Sequence, residues 1–215
     1  MKGVVDEAQL RVFTAIEHGE LAPEALSARQ VCAFLGYTTG HLYHHFGSLD
    51  GLWCGVAQLA FAKLDACLLC AANTHDAVAP ALAQAFVEFG IDNPALYTLM
   101  FERHYDWAAL RERGLINEPN PAMQLWRGLV QHMTELGSGD PRRDARVLFA
   151  GLHGLVSLAR SGRANVGVLQ ISDRDAAVAA ARRLATLLCP VERSAQQTVI
   201  KQSEAKRSRR ERQVL

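Results

Sequence analysis

The sequence predicts an all-α fold of about nine helices. Apolar residues recur at three- and four-residue spacing through most of the chain, as at Leu82, Phe86 and Phe89. Asn93-Pro94 and Asp140-Pro141 each place a capping side chain before proline at a first helical position. No segment shows the convincing alternation of polar and apolar residues that is typical of a β-strand.

The first four helices are predicted from their ends. Leu10 and Phe13 lie on the inner face of a helix over residues 5–19, which Gly19 closes. A second helix is capped by Ser27 and ended by Gly36, and a third spans residues 39–46. A long apolar helix follows a cap at Ser48 and runs from residue 49 to about residue 72.

The remaining helices follow the same signals. They are predicted over residues 75–91, 94–101, 121–136, 140–161 and 173–188. Ser172 with Asp175 resembles a capping box, and Pro190 ends the last helix. Residues 106–120 are rich in Arg and Glu and end in two prolines, so we expect a short helix or an irregular connector there.

The segment from Ser27 to Asp50 predicts a helix-turn-helix. Thr38 supplies a hydroxyl cap for the helix over residues 39–46, and Leu42 and Phe46 fall at i and i+4 on its inner face. The first turn of that helix is small and polar. Such a helix can enter the major groove of DNA by its N-terminal end.

The same segment resembles a known family. The run G-Y-T-T-G-H-L-Y-H-H-F-G-S-L-D-G-L is similar to the helix-turn-helix signature of the tetracycline-repressor (TetR-like) transcriptional regulators, and the match extends from about Leu10 to Leu59. Residues that fall in the family's order and spacing are Gly36, Thr38, Gly40, Leu42, Tyr43, Phe46 and Leu52. DNA-binding residues are therefore expected at Ser27, Thr38, Thr39, Gly40, His41, Tyr43 and His44.

A second resemblance concerns the regulatory half. The segment N-P-A-L-Y-T-L-M-F, residues 93–101, resembles one branch of these regulators whose later signature is Trp and then His-Gly. Here His153-Gly154 matches, and Phe149 stands in place of the Trp.

The charge of the N-terminal unit is unfavourable for DNA. Three basic residues are opposed by six acidic ones in the first fifty-three residues, a net charge of −3, and Leu49 stands where the family usually has a phosphate-binding Lys. We therefore expect weak, salt-sensitive DNA binding.

The C-terminal segment is basic. From Arg193 onward seven basic residues are opposed by two acidic ones, a net charge of +5. This tail is either a nonspecific DNA contact or only a solvated chain end.

The composition indicates a soluble cytoplasmic protein. With 215 residues, of which 49% are hydrophobic and 21% charged, the chain can bury a real core. No apolar run reaches the length predicted to cross a membrane, and no export signal is present. Five cysteines form no secreted disulfide framework, so we expect reduced thiols.

Catalytic and metal chemistry have little support. His41 could hold a metal with either His44 or His45 on one helix face, but no third ligand follows at zinc spacing, and exposure toward DNA explains these histidines better. Cys67 and Cys70 could form a redox pair, although apolar packing explains them better. No recognisable catalytic or cofactor motif occurs, so neither enzyme activity nor a cofactor is predicted.

Aromatic and sulfur-containing side chains lie on successive regulatory helices and either fill a core or line a pocket. In a chain that resembles a ligand-responsive regulator, we expect them to bind an apolar effector. This set is Phe61, Phe86, Phe89, Tyr97, Met100, Phe101, Trp126 and Met133, with Tyr97, Gln131, His132 or His153 as polar partners.

These observations predict a regulator in three parts. Residues 1–52 form a helix-turn-helix DNA-binding domain, residues 53–190 a helical effector-binding and dimerisation domain, and residues 191–215 a basic tail. The expected function is a homodimeric repressor that binds a palindromic operator in double-stranded DNA and is released by a small apolar effector. The resemblance implies that the last two long helices pair with their mates in a four-helix bundle. The alternative is a small-molecule-binding helical dimer with weakened or lost DNA binding.

Overall fold

The computed structural model describes residues 2–75, 77–116, 120–167 and 170–189, and within these it contains ten α-helices and no β-strand. The all-α prediction is confirmed. The helices are α1 Lys2–Glu17, α2 Ala28–Leu35, α3 Thr39–Phe46, α4 Leu49–Thr74, α5 Val78–Asp92, α6 Pro94–Tyr97, α7 Trp107–Glu112, α8 Pro121–Glu135, α9 Pro141–Arg160 and α10 Asp173–Leu188. A 3-10 turn, Pro23–Ala25, precedes α2, and a π-helical turn, Thr98–Glu102, continues α6.

The ends of the first helices have local causes. Ser27 and Gln30 form a capping box at the start of α2, and Gly36 ends it at φ +73°, where a residue with a Cβ would be strained. The hydroxyl of Thr38 accepts a hydrogen bond from the His41 amide at 3.2 Å and starts α3. Ser48 does the same for α4 through the amide of Gly51 at 3.0 Å.

The helix α4 is the centre of the fold. Its 26 residues span about 39 Å at 1.5 Å per residue. Its N-terminal half packs against α1 and α3, and farther along it packs against α5 and α8. Leu52, Trp53 and Leu64 on α4 are almost completely buried in one core that also contains residues of α1, α5 and α9. The expected domain boundary between residues 52 and 53 falls inside this helix.

The regulatory helices pack around α5, which contacts α4, α9 and α10. Gly90 permits the close approach of α5 and α9, because a Cβ there would lie 2.7 and 2.8 Å from the two methyl groups of Val156. Near the same end of α5, Arg174 of α10 forms an ion pair with Asp92.

The apolar length of α4 corrects one prediction. By length and composition α4 could cross a membrane, with a mean hydropathy of 1.5, whereas no run of that length was expected. Half of its most apolar window is buried inside the protein, and core helices of soluble proteins often have this composition. The helix is therefore weak evidence for a membrane span.

Three predicted helices have other bounds in the structure. The first was expected over residues 5–19, but α1 spans Lys2–Glu17. The fifth helix was expected from residue 75, but His75 instead ends α4 in an extended conformation, with its Nδ1 3.1 Å from the carbonyl of Ala71. The sixth was expected to be α-helical over residues 94–101, but the amide of Arg103 donates to the carbonyl of Thr98 at 2.8 Å and widens the helix into a π-helical turn.

One cap was also wrong. The Asn93 side chain makes no capping bond to α6 and instead accepts from Lys63 at 2.8 Å. The caps expected at Asp140 and Ser172 are present, with amides of Arg143 and Asp175 as donors. Pro190 and the basic tail over residues 191–215 lie outside the described residues, as do residues 117–119 of the expected connector.

Candidate DNA-binding face and regulatory core

The first turn of α3 is exposed while its opposite face is anchored. Leu42 and Phe46 retain at most 1% of their accessible surface. Thr39 and Gly40 are exposed, and the Tyr43 side chain retains 52% of its accessible surface. Because α3 is held by its inner face, its polar first turn is presented to solvent as a rigid unit.

The predicted DNA-binding residues lie at the ends of α2 and along α3. Ser27 is exposed and caps α2, and Thr38 caps α3, so both hydroxyls already accept backbone hydrogen bonds. His44 is exposed. His41 is only half exposed, because the rings of Tyr37 and His45 pack against it in tilted arrangements, each with its centroid 4.3 Å from that of His41.

The surroundings of His45 favour its neutral form. Desolvation, followed by repulsion from His41 and His44, lowers the pKa of His45 below its ordinary value. His45 therefore stays neutral to a lower pH. Among the described residues, no group of three or more His, Cys, Asp or Glu side chains could hold a metal ion.

The junction between α3 and α4 is tied to the regulatory half. Arg103, which follows the π-helical turn, donates from Nη2 and Nε to Oδ1 of Asp50 at 2.7 and 3.1 Å. Asp50 lies in the first turn of α4, next to the half-buried Leu49. The side chain of the buried Gln58 donates to the carbonyl of Leu115 at 3.0 Å. The segment after the π-helical turn is thus attached to α4 at two points.

Aromatic rings from four elements form one cluster in the regulatory half. Phe86 of α5 contacts Tyr97, Phe101 and Phe149, with ring centroids 5.8 to 6.1 Å away. Phe61 of α4 joins through Phe101, at 5.2 Å. The rings pack in tilted and edge-to-face arrangements, which are the favoured geometries for aromatic pairs.

A polar pair lies inside this cluster. Tyr97 is completely buried, and its hydroxyl lies 2.7 Å from Nδ1 of His153, whose ring stacks on that of Tyr97. Burial, followed by the charge of Glu102, raises the pKa of Tyr97, so the phenol is neutral at physiological pH. The cluster therefore contains a hydrogen bond between a neutral phenol and an imidazole, among apolar rings.

A charged pair closes one side of the cluster. Arg160 donates to Glu102 at 2.8 Å and to the hydroxyl of Thr98 at 3.0 Å. Its guanidinium also lies over the Tyr97 ring, 5.8 Å from the centroid. Since Arg160 and Glu102 neutralise each other, they add no net charge beside the aromatic rings.

The family is decided by the regulatory half. Residues 79–187, just over half of the chain, match the family model described as tetracyclin repressor-like, C-terminal domain. The chain belongs to the tetracycline repressor-like family. On this assignment the protein is a transcriptional regulator, and family membership points to a regulatory rather than an enzymatic role.

Two solved structures resemble this tetracycline repressor-like chain. A protein of unknown function from Rhodococcus sp. RHA1 shares the fold, with a TM-score of 0.62 at 23% identity, covering 85% of this chain and 95% of that one. PfmR from Thermus thermophilus, a TetR family transcriptional regulator, superposes with a TM-score of 0.49 at 19% identity, covering 88% of this chain and 98% of that one. No curated protein matches the chain.

The predicted effector residues of this tetracycline repressor-like protein separate into two groups. Phe61, Phe86, Tyr97, Phe101 and His153 meet in the aromatic cluster. The other four residues, all within the described part of the chain, make no ring contact with this cluster. Phe89 packs under Lys63, and Met133 contacts the Cys189 thiol. Met100 is buried and Trp126 is half-buried. Gln131 is exposed and donates to Glu135.

Phe149, Arg160 and Glu102 were missed as members of this site. Phe149 precedes His153 by four residues on α9, so helical spacing gave a usable signal for it. Arg160 and Glu102 gave none, because their pairing spans 58 residues and depends on how α9 packs on the π-helical turn.

Proposed function

We propose that the chain is a homodimeric, DNA-binding transcriptional repressor that a small apolar effector releases from its operator. The observation that carries the proposal is the exposed first turn of α3, anchored from beneath by Leu42 and Phe46. A short helix presented in this way fits the major groove. In this proposal Thr39 and His41 contact base edges, and Thr38 and Tyr43 contact phosphates. Ser27, Gly40 and His44 complete the DNA-facing set.

An apolar face on the last two long helices supports dimerisation. On α9, Val147, Ala150 and Leu158 are exposed at helical spacing, and Val147 and Leu158 retain 48% and 44% of their surface. On α10, Ala180 and Leu187 are exposed seven residues apart, Leu187 by 59%. Two copies that bury these faces would form a four-helix bundle and present two α3 helices to a palindromic operator.

A charge introduced into this apolar face of α9 and α10 tests the proposed dimer. Leu158→Asp should yield a monomer by light scattering, because the carboxylate would be buried without a partner. Leu69→Asp is the matched control, since Leu69 is similarly exposed, by 57%, but lies on α4. A Leu158→Asp protein that remains dimeric would place the dimer interface elsewhere.

The aromatic cluster supports the effector site. Phe86, Phe101 and Phe149 lie around the Tyr97–His153 hydrogen bond, and the adjacent Arg160–Glu102 pair carries no net charge. An uncharged, largely apolar molecule with one hydrogen-bonding group suits these surroundings. A tenfold loss of DNA affinity requires only ~1.4 kcal/mol of differential binding between two conformations, which a few buried methylenes at ~0.8 kcal/mol each supply.

The effector is tested by direct binding as well as by DNA release. A panel of uncharged aromatic compounds should raise the melting temperature of the protein alone, and positive compounds should weaken DNA binding. Phe86→Leu should alter both responses while leaving DNA affinity without ligand nearly unchanged. If the panel has no effect on melting or on DNA binding, the cluster is only a packed core.

DNA binding itself is tested by selecting duplex fragments from a random library at low and moderate salt. The proposal requires fragments with two related half-sites, about one helical turn apart. The net charge of −3 in the first fifty-three residues and the lowered pKa of His45 favour the second candidate, a ligand-binding dimer that has lost DNA binding. Recovery of no fragments at low salt, together with ligand binding, would establish that candidate instead.

A further inference from the structure

The segment from Arg103 to Ile116 lies against the end of the proposed recognition helix. Arg103 pairs with Asp50, and Gln58 donates to the carbonyl of Leu115. The Leu115 side chain also packs on Gly51, where an added Cβ would lie 3.0 Å from its Cδ1. These contacts fix α7, which belongs to this segment, beside the junction of α3 and α4.

Arg113, the residue that ends α7, lies directly over Gly47. A Cβ built on Gly47 would overlap the Arg113 guanidinium and would lie 3.1 Å from its Cδ. Gly47 follows the last residue of α3. Arg113 is exposed and, within the part of the chain that the structure describes, makes no hydrogen bond or ion pair through its side chain. A cation that pairs with no described side chain thus lies at the end of the proposed recognition helix.

The charges at this junction differ from those of the isolated N-terminal unit. Asp50 alone would repel a phosphate, but Arg103 neutralises it at 2.7 Å. Arg113 then adds a positive charge that no described side chain pairs with. Counting Asp50, Arg103 and Arg113 alone, the junction changes from net −1 to net +1, at the edge of a unit that otherwise has a net charge of −3.

The length of α3 brings this cation to the DNA backbone. Eight residues span ~12 Å, which is about the width of the major groove. When such a helix lies in the groove, residues just beyond it reach the flanking phosphates. Phosphate contacts of this kind position a protein and are independent of base sequence.

We propose that Arg113 binds a DNA backbone phosphate beside Gly47 and, with Arg103 holding Asp50 neutral, supplies the cationic contact that Leu49 lacks. This inference rests on the proposed DNA-binding function. It makes DNA affinity depend on the position of α7, because the contact comes from outside the helix-turn-helix.

The test measures affinity for a mixed-sequence duplex over a series of salt concentrations. Arg113→Gln should reduce the slope of log affinity against log salt by ~0.9, which corresponds to about eightfold weaker binding at ~0.1 M salt. Arg111→Gln is the matched control, because Arg111 is exposed on the same helix two residues away. Its slope should stay close to that of the wild-type protein.

A double variant tests whether Arg113 replaces the phosphate contact of the Lys that is missing at position 49. Adding Leu49→Lys to Arg113→Gln should restore the lost slope, since the Lys adds back one phosphate-binding cation at this junction. An unchanged slope for Arg113→Gln, or equal losses for Arg111→Gln and Arg113→Gln, would overturn the inference while leaving DNA binding in place. Absence of any salt-dependent binding by the wild-type protein would overturn the proposed function as well.

Discussion

The packing of Gly90 against α9 makes a sharp prediction about stability. In Gly90→Ala, the added methyl carbon would lie 2.7 Å and 2.8 Å from the methyl groups of Val156 and 2.9 Å from Cε2 of Tyr97. Val156 and Tyr97 are completely buried, so neither can turn away into solvent. The substitution therefore forces α5 and α9 apart or displaces the Tyr97 ring.

The magnitude follows from two opposing effects. Replacing a helical Gly by Ala stabilises a helix by about 1 kcal/mol. Inserting a methyl group into a packed core costs about 1–3 kcal/mol. Gly128→Ala isolates the first effect, because Gly128 is exposed in α8 and a Cβ there meets no atom within 4 Å. The two variants should differ by about 1–3 kcal/mol in the free energy of unfolding, with Gly90→Ala the less stable.

Urea unfolding of both variants at one protein concentration measures this difference. With a shift of about 2–4 °C per kcal/mol for a chain of this size, thermal melts should agree in sign. In a double-mutant cycle, Val156→Ala should relieve part of the Gly90→Ala cost, with a coupling of about 1 kcal/mol. If Gly90→Ala were as stabilising as Gly128→Ala, the close approach of α5 and α9 described above would be wrong.

Further predictions concern the DNA-binding unit. Ser27→Ala should destabilise the protein by about 1 kcal/mol in urea unfolding, because it removes the capping box of α2, and an unchanged midpoint would refute this. Thr38→Ala should weaken binding equally across operator variants, whereas His41→Ala should change which variant is preferred; a binding competition among variants separates the two, and identical profiles would contradict the placement of α3. Leu49→Lys alone should raise affinity and steepen the salt slope by roughly one unit, and an unchanged slope would show that residue 49 does not face the backbone.

Local signals in the sequence were sufficient for most of the fold. Hydroxyl and carboxylate caps such as Ser27, Thr38 and Asp140 act on amides two or three residues away, so their effect can be predicted without tertiary structure. Both ends of α3 and α10 were predicted correctly for this reason. The apolar spacing of the long helices likewise depends only on which residues face inward.

The parts that failed depend on distant contacts. The π-helical turn lies where Arg103 reaches Asp50, 53 residues away in sequence, and nothing in residues 98–102 alone indicates it. Phe149 joins the aromatic cluster only because α9 packs on α5. Arg113 lies over Gly47, which is 66 residues away in sequence, and neither periodicity nor capping rules predict this contact.

The π-helical turn also has a consequence for how such a protein can change in evolution. A π-helical hydrogen bond encloses one more residue than an α-helical hydrogen bond. Deleting one residue within Thr98–Glu102 would therefore restore an ordinary α-helical turn. Such a deletion would shorten the path from Tyr97 to Arg103 by one residue, and Phe101, which contacts Phe61 and Tyr97 in the aromatic cluster, lies on that path. Arg103 would be displaced from Asp50 and, through the chain to α7, Arg113 from Gly47. A change in chain length at this one turn would thus disturb the aromatic cluster and the junction of α3 and α4 together, whereas a substitution at either place acts first on that place alone.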